Sequence, residues 1–182
     1  MINILNSIII NTTTLLPKSI VQLFAGKYVA GENHKNALNL VKSLNKNGFS
    51  ATIDILGEHV INENEAEKIT TEYIDLFDEI AENKLDCNIS IKPSHIGLDL
   101  GEGVFLSNLK LLVKRAEYHD NFLRIDMESS SATDITIKAY REMLQTSTTV
   151  GTVFQAYLFR TLDDIKNIQN DKLNFRLCKG IY

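Results

Sequence analysis

Charged side chains alternate with apolar ones in the stretch FLRIDME at positions 122–128. If this stretch is a β-strand, its apolar residues point to one face, whereas Arg124, Asp126 and Glu128 point to the other. Segments with helical patterns precede and follow it, which favours a parallel sheet covered by helices over an antiparallel sheet with one face in water. An acid beside a base at the C-terminal end of such a strand is therefore a candidate site.

Polar side chains also lie near the ends of three other strand-like segments, and they are Lys92, Gln155 and Arg176. If the apolar faces of all four strands pack against helices, these side chains and Asp126 point into one interior, near the C-terminal strand ends where parallel barrels build active sites. Two cations, one acid and one amide suit an anionic small molecule together with the polar edge of a cofactor. Taken singly, each could instead form a structural salt bridge or lie at a solvated strand end. Unpaired burial of such charges is costly, so we expect them to be paired or ligand-bound.

The elements that position these residues follow a regular alternation from position 50 onward. Strands are predicted at 51–56, 87–92, 122–128, 152–156 and 174–178, with helices between them at 64–82, 104–118, 132–145 and 162–168. This order predicts right-handed βαβ units and a parallel sheet. Positions 101–103 carry only GxG, so the GxGxxG fingerprint of a dinucleotide-binding sheet is missing. The fold class we predict is α/β, a (β/α)8 barrel of which about the first five units are present.

The chain is predicted to have two parts, N-terminal helices over 1–48 and the partial barrel over 49–182, which would be the catalytic domain. Within the first part, helices are predicted at 1–16, 17–30 and 36–47. The apolar N-terminus is interrupted by Asn and Thr and has no basic leader, so it makes a poor signal peptide and is too polar for a membrane span. We read it as a docking helix.

Composition narrows the function classes further. The chain has 182 residues, 44% of them hydrophobic and 23% charged, with a net charge of −4. That is a globular composition without a basic patch, so we predict no nucleic-acid partner. Cys87 and Cys178 lie in apolar runs and no histidine pair has metal-ligand spacing, so we predict buried thiols and no metal site. Without a disulfide framework, a cytoplasmic location is favoured.

Several short motifs occur in the order found in one enzyme family. They are AGE at 30–32, LGEH at 56–59, SIKP at 90–93 with GLDL at 97–100, RIDME at 124–128, QAYLFR at 155–160 and RLCKGIY at 176–182. Together they resemble the monofunctional bacterial proline dehydrogenases, from about position 24 to the last residue. The resemblance implies a flavin-dependent (β/α)8 barrel that oxidises L-proline to Δ¹-pyrroline-5-carboxylate by hydride transfer from proline to FAD.

The resemblance also implies roles in the reaction for three residues. Lys92 resembles the cation that receives the substrate carboxylate, a task that suits a compact ammonium group. Asp126 resembles the acid that orients the substrate and its neighbours. Arg176 resembles the arginine beside the reactive flavin nitrogen, where a fixed positive charge would stabilise the anionic reduced ring.

Five more residues are implied as contacts of FAD. Met127 and Gln155 resemble flavin-contacting positions, and Gln155 would offer its amide to the isoalloxazine edge. Lys179, Gly180 and Ile181 match a stretch in which the family binds FAD through Lys-Gly-Ala. This chain carries Ile181 where the family has the small residue.

Other parts of the family pattern do not occur in these residues. The family's later strands carry further FAD contacts, and a final helix bears a Tyr-x-x-Arg-Arg motif that closes over proline. We therefore expect an N-terminal portion of the barrel that is inactive alone. The resemblance also implies a quinone or another electron acceptor, which leaves peripheral membrane contact open, and an exposed sheet edge leaves self-association open.

Two rival interpretations remain open. Asp126 and Glu128 would lie about 7 Å apart on one face of a strand, and a carboxylate pair is what a barrel glycoside hydrolase requires. The chain has no Trp to stack on sugar rings, however. The other rival is a non-catalytic half-barrel that pairs through its exposed edge.

Overall fold

A parallel sheet of five strands forms the centre of the computed structural model, which describes residues 30, 31, 33–168 and 173–180. The strands are β1 Ala51–Ile53, β2 Cys87–Ile91, β3 Leu123–Ile125, β4 Val150–Gln155 and β5 Phe175–Cys178. They pair in sequential order, and every pair is parallel. A doubly wound sheet reverses its order at a switch point, whereas sequential order is that of a barrel.

Helices connect the strands, as the sequence pattern predicted. They are α1 His34–Lys46, α2 Glu63–Glu82, α3 Glu102–Tyr118, α4 Ser130–Leu144 and α5 Thr161–Asn167, and two short 3₁₀ turns at Pro93–Ile96 and Leu98–Leu100 follow β2. The N-terminus of α2 is fixed by Asn62, whose side chain accepts a hydrogen bond from the Glu65 amide at 2.9 Å. The helices predicted at 1–16 and 17–30 lie outside the described residues apart from Ala30, so the division at 48/49 stays a prediction.

The strand boundaries differ from the predicted ones in a way that matters for the site. β1 and β3 end at Ile53 and Ile125, so the chain leaves the sheet several residues before the alternation in the sequence stops. β4 begins two residues earlier than predicted because Val150 and Gly151 pair with β3. The 126–128 segment is therefore a loop, and the alternation rule does not fix the direction of its side chains.

The two faces of the sheet carry different side chains. On one face, apolar side chains such as Ile91, Ile125 and Phe154 are buried beneath the helices. Each such side chain stabilises the fold by roughly 1.5–3 kcal/mol. The opposite face carries polar side chains, among them Ser90 and Arg124, and we call it the lumen face. The lumen face is where the candidate site lies.

Candidate functional site

Asp126 stands at the centre of the lumen face and joins three strands. It directly follows β3, and its Oδ1 accepts hydrogen bonds from Ser90 Oγ at 2.7 Å and from Arg176 Nη2 at 2.8 Å. Ser90 lies in β2 and Arg176 in β5. The Asp126 side chain is 22% exposed and that of Arg176 47%, so the ion pair is open to a ligand on one side. Asp126 and Arg176 thus lie together as the sequence predicted.

Lys92 occupies the first position after β2, beside Asp126, which is the first position after β3. The pairing of Ile91 with Ile125 sets this alignment, and the Asp126 amide donates to the Ile91 carbonyl at 2.9 Å. The Lys92 ammonium contacts Glu58 Oε1 at 2.5 Å and its side chain is only 19% exposed. This contact holds the pKa of the Glu58 carboxyl below its usual range. A cation is therefore fixed near the C-terminal strand ends.

Asp54 is a lumen residue that sequence reasoning missed. It follows β1, and its Oδ1 accepts a hydrogen bond from the hydroxyl of the buried Tyr73 at 3.2 Å. Burial raises the pKa of Asp54 to about 6, with the Lys92 charge acting against this rise and the Asp126 charge adding to it. The signal that could have found it is an acid directly after a strand, the same feature that marks Asp126.

Arg124 adds a third cation deeper in the lumen. Its guanidinium lies across β4, where it donates to the Thr152 carbonyl and to Asn174 Oδ1, both at 3.1 Å. A Cβ atom at Gly151 would lie 2.8 Å from Arg124 Nη1, so the glycine leaves the space that this crossing requires. Burial and the nearby Arg176 lower the pKa of Arg124. Arg124 thus ties β3 to β4 and β5 below the site.

Gln155 ends β4 and is almost completely buried. Its Nε2 donates to the carbonyls of Met127 at 3.1 Å and of Glu128 at 3.4 Å. Its Oε1 is buried and has no hydrogen-bond partner among the residues that the structure describes. A buried acceptor without a donor is uncommon, and a water molecule or a ligand can supply the donor. An N–H group at the edge of an isoalloxazine ring is such a donor, so Gln155 fits the flavin that the sequence predicts.

The chain after β5 continues alongside the loop after β4. The amides of Ala156 and Tyr157 donate to the carbonyls of Cys178 and Lys179 at 2.7 and 3.0 Å. Gly180 has a φ of +105° and packs against the Tyr157 ring so closely that no Cβ would fit. The glycine therefore allows the chain after β5 to pack directly against the loop after β4. Lys179 is exposed beside it, and Ile181 lies outside the described residues.

Glu128 does not stand beside Asp126 as a second reactive carboxylate. It is 6% exposed, and its two oxygens accept hydrogen bonds from Ser94 Oγ at 2.6 Å and from the Ser94 amide at 2.8 Å. Because Asp126 is also engaged, with Ser90 and Arg176, this geometry gives no support to the glycoside hydrolase interpretation.

Within the described ranges, no three His, Cys, Asp or Glu side chains are grouped so that they could hold a metal ion. No helix in those ranges combines the length and apolar character that a bilayer crossing needs.

Comparison with protein families gives a match over most of the chain. The family model described as "Proline dehydrogenase" matches residues 37–182. Proline dehydrogenase 1 of Bacillus subtilis subsp. natto is 41% identical over 161 residues, which are 88% of this chain and 53% of that protein. The proline dehydrogenase of Deinococcus radiodurans is 29% identical over 163 residues, which are 87% and 53% of the two chains. This chain thus spans about half the length of the curated relatives that it matches.

Solved structures agree on the fold. Proline utilization A from Bdellovibrio bacteriovorus, inactivated by N-propargylglycine, superposes with a TM-score of 0.81 at 23% sequence identity. The alignment covers 90% of this chain and 21% of that protein. At this identity the similarity concerns the fold alone, and it confirms the predicted partial (β/α) barrel.

Proposed function

Because the chain belongs to the proline dehydrogenase family, we propose that it supplies the substrate-binding and flavin-binding strands of an enzyme that oxidises L-proline. The proposed product is Δ¹-pyrroline-5-carboxylate and the proposed cofactor is FAD. The observation that carries the proposal is the Asp126–Arg176 ion pair next to Lys92 on the lumen face, at the end of the sheet where such barrels react.

Proline brings an anionic carboxylate and a cationic ring nitrogen, and the site has a charge for each. Lys92 would bind the carboxylate through a second N–H group of its ammonium while Glu58 keeps the first. Asp126 would orient the ring nitrogen, since its carboxylate already lies between Ser90 and Arg176. A substrate fixed at both ends presents its ring carbons in one orientation, and holding reactants in the reactive orientation lowers the activation free energy.

The residues that we propose to bind the flavin lie mainly on and after β4 and β5, on the other side of Asp126. FAD, when bound, supplies the acceptor for the hydride. Gln155 would receive an N–H group of the ring at Oε1, next to the carbonyl of Met127 that holds its amide. Arg176 would place a positive charge against the ring, held in direction by Asp126. Lys179, Gly180 and Ile181 would contact the rest of the cofactor.

The activity is tested with protein expressed from the complete coding sequence. L-proline, FAD and a dye acceptor should give dye reduction that depends on L-proline. Lys92→Met should raise the KM for proline with a smaller change in kcat, because it removes charge that binds the carboxylate in both the ground and the transition state. Lys110→Met is a matched control, since Lys110 pairs with Glu142 on the helical exterior. A protein without proline-dependent reduction would contradict the proposal.

Activity is proposed to need more strands than the five described here. Among the described residues, β1 and β5 each pair on one side only, and Phe175 and Leu177 of β5 are 38% and 57% exposed. A closed barrel has eight strands. The 182-residue chain, given FAD, proline and dye, is therefore expected to be inactive. Brisk turnover by the chain alone would contradict this part of the proposal.

The remaining partners are proposals of the same kind. A quinone or another acceptor would reoxidise the flavin, and contact with a membrane would follow if that acceptor is a quinone. The one-sided pairing of β1 and β5 favours self-association of the isolated chain through a sheet edge. Light scattering tests this, and a clean monomer would argue against it. A cytoplasmic location stays a prediction.

A further inference from the structure

Asp54 has no assigned task in the site described above, yet it lies inside it. The pairing of Ile53 with Ile89 places Asp54 beside Ser90, whose hydroxyl binds Asp126. Asp54 is thus separated by one strand, β2, from the Asp126 carboxylate at the centre of the site.

A buried tyrosine fixes the Asp54 carboxyl in this position. Tyr73 reaches up from α2 with 0% exposure, and its hydroxyl lies 3.2 Å from Asp54 Oδ1. The Ile55 amide donates to the same hydroxyl at 3.3 Å, and the phenolic hydrogen has two acceptors in reach, Asp54 Oδ1 and the Ile55 carbonyl at 3.4 Å. Tyr73 therefore holds the Asp54 carboxyl, whose ionisation also responds to the charges of the lumen.

The charges that act on Asp54 come from each neighbouring element. Lys92 after β2 favours its ionised form, whereas Asp126 after β3 and Glu58 in the loop after β1 disfavour it. Burial disfavours the ionised form most, and the pKa of Asp54 is raised to about 6. His95, buried between Tyr73 and Gly57, also lies near Lys92, and burial first and the Lys92 charge next lower its pKa.

A ligand carboxylate at Lys92 changes this balance in one direction. It adds negative charge near Asp54 and takes up part of the Lys92 charge that favoured ionisation. We propose that Asp54 takes up a proton from solvent when a monocarboxylate binds beside Lys92, and so sets the pH dependence of carboxylate affinity. The inference rests on the proposed function, since it requires that Lys92 receives a carboxylate. Asp54 then acts on the affinity for the carboxylate through its charge, without contacting the carboxylate itself.

The size of the effect follows from linkage. If binding raises the pKa of Asp54 by one unit from about 6, the protein takes up about 0.5 proton per ligand at pH 6.5. By reciprocity, the affinity for the carboxylate falls about fivefold between pH 6 and pH 8.

The test uses cyclopentanecarboxylate, which has the ring and carboxylate of proline but no nitrogen to be oxidised or to titrate. Calorimetric titration in two buffers of different ionisation enthalpy, with protein from the complete coding sequence, gives the protons taken up per ligand. Asp54→Asn keeps an oxygen for the Tyr73 bond and cannot ionise. Asp86→Asn is the matched control, because Asp86 contacts Ser50 before β1, at the opposite end of the sheet.

The expected result is about half a proton at pH 6.5 for the wild type and for Asp86→Asn, and none for Asp54→Asn. The Kd of Asp54→Asn should also be flat between pH 6 and pH 8, a range in which the ligand carboxyl stays ionised. Uptake that persists in Asp54→Asn would assign the proton to another group, such as His95, and would overturn the inference while leaving the carboxylate site intact. Binding without uptake in the wild type would do the same. Absence of any binding would count against the proposed function itself and remove the inference with it.

Discussion

The contact between Ser94 and Glu128 should control both the stability of the chain and the position of Lys92, the cation proposed to bind the substrate. Ser94 lies two residues after Lys92, in the first 3₁₀ turn, and its amide and hydroxyl both donate to the Glu128 carboxylate. Ser94 Oγ also accepts from the His59 amide at 3.2 Å. One buried contact therefore links the loops that follow β1, β2 and β3, and Lys92 stands within this linked structure.

The cost of breaking it can be worked out from the two bonds. A hydrogen bond to a charged group contributes roughly 1.5–3 kcal/mol, and a buried donor left without a partner costs a further amount of similar size. Glu128→Ala removes both acceptors, so we expect a loss of about 3–5 kcal/mol in the free energy of unfolding. Glu128→Gln keeps one amide oxygen and should lose about 1.5–3 kcal/mol.

Urea unfolding of the wild type, Ser94→Ala, Glu128→Ala and the double variant forms a double-mutant cycle. We expect a coupling free energy of about 1–2 kcal/mol between the two side chains. Glu102→Gln is the matched control, because the Glu102–Lys138 pair is exposed and should contribute little. A coupling near zero, or a Glu128→Ala variant as stable as the wild type, would refute the claim that this contact holds the loops together.

Three further predictions concern titration and charge. Asp54→Asn should stabilise the fold by about 1–2 kcal/mol at pH 7.5 and not at pH 4. The pKa of Asp54 is about 6 in the folded state and 3.8 in the unfolded state, so the stability that the protonated carboxyl contributes is lost as pH rises through 6. Urea unfolding at both pH values checks this. Arg115 first, and His119 next, hold the pKa of Asp78 below its usual range. The stability that the ionised Asp78 contributes to the fold is therefore present above about pH 4 and lost as pH falls. An acid titration followed by circular dichroism should be flatter for Asp78→Asn. Arg176→Met should slow proline-dependent dye reduction by about 10²–10³-fold, with Arg176→Lys less affected because it keeps the charge.

Much of the fold could be predicted because strands and helices have different periods. The apolar positions of the segment 64–82 repeat at helical spacing, and the structure has α2 over Glu63–Glu82. The alternation in β2 and β3 likewise placed Ser90 and Arg124 on the lumen face. These are local rules of chain geometry, and they hold wherever one face of an element is buried.

The details of the site could not be predicted because they depend on where strands stop. The alternation of 122–128 suggested one face for Asp126 and Glu128, but β3 ends at Ile125 and the loop turns Glu128 towards Ser94. The partner of Lys92 was missed for a similar reason, since Glu58 reaches it from a loop without periodic sequence. Contacts between loops follow from the assembled sheet and leave no local pattern.

If the charges of the lumen face hold proline against a flavin, L-proline should reduce that flavin in the absence of oxygen. Protein expressed from the complete coding sequence is loaded with FAD and mixed with L-proline in an anaerobic stopped-flow instrument. We expect loss of the oxidised-flavin absorbance, a half-saturating proline concentration raised in Lys92→Met, and a rate at saturation lowered in Arg176→Met. Flavin that L-proline leaves oxidised, or reduction identical in all three proteins, would contradict the proposed roles of these charges.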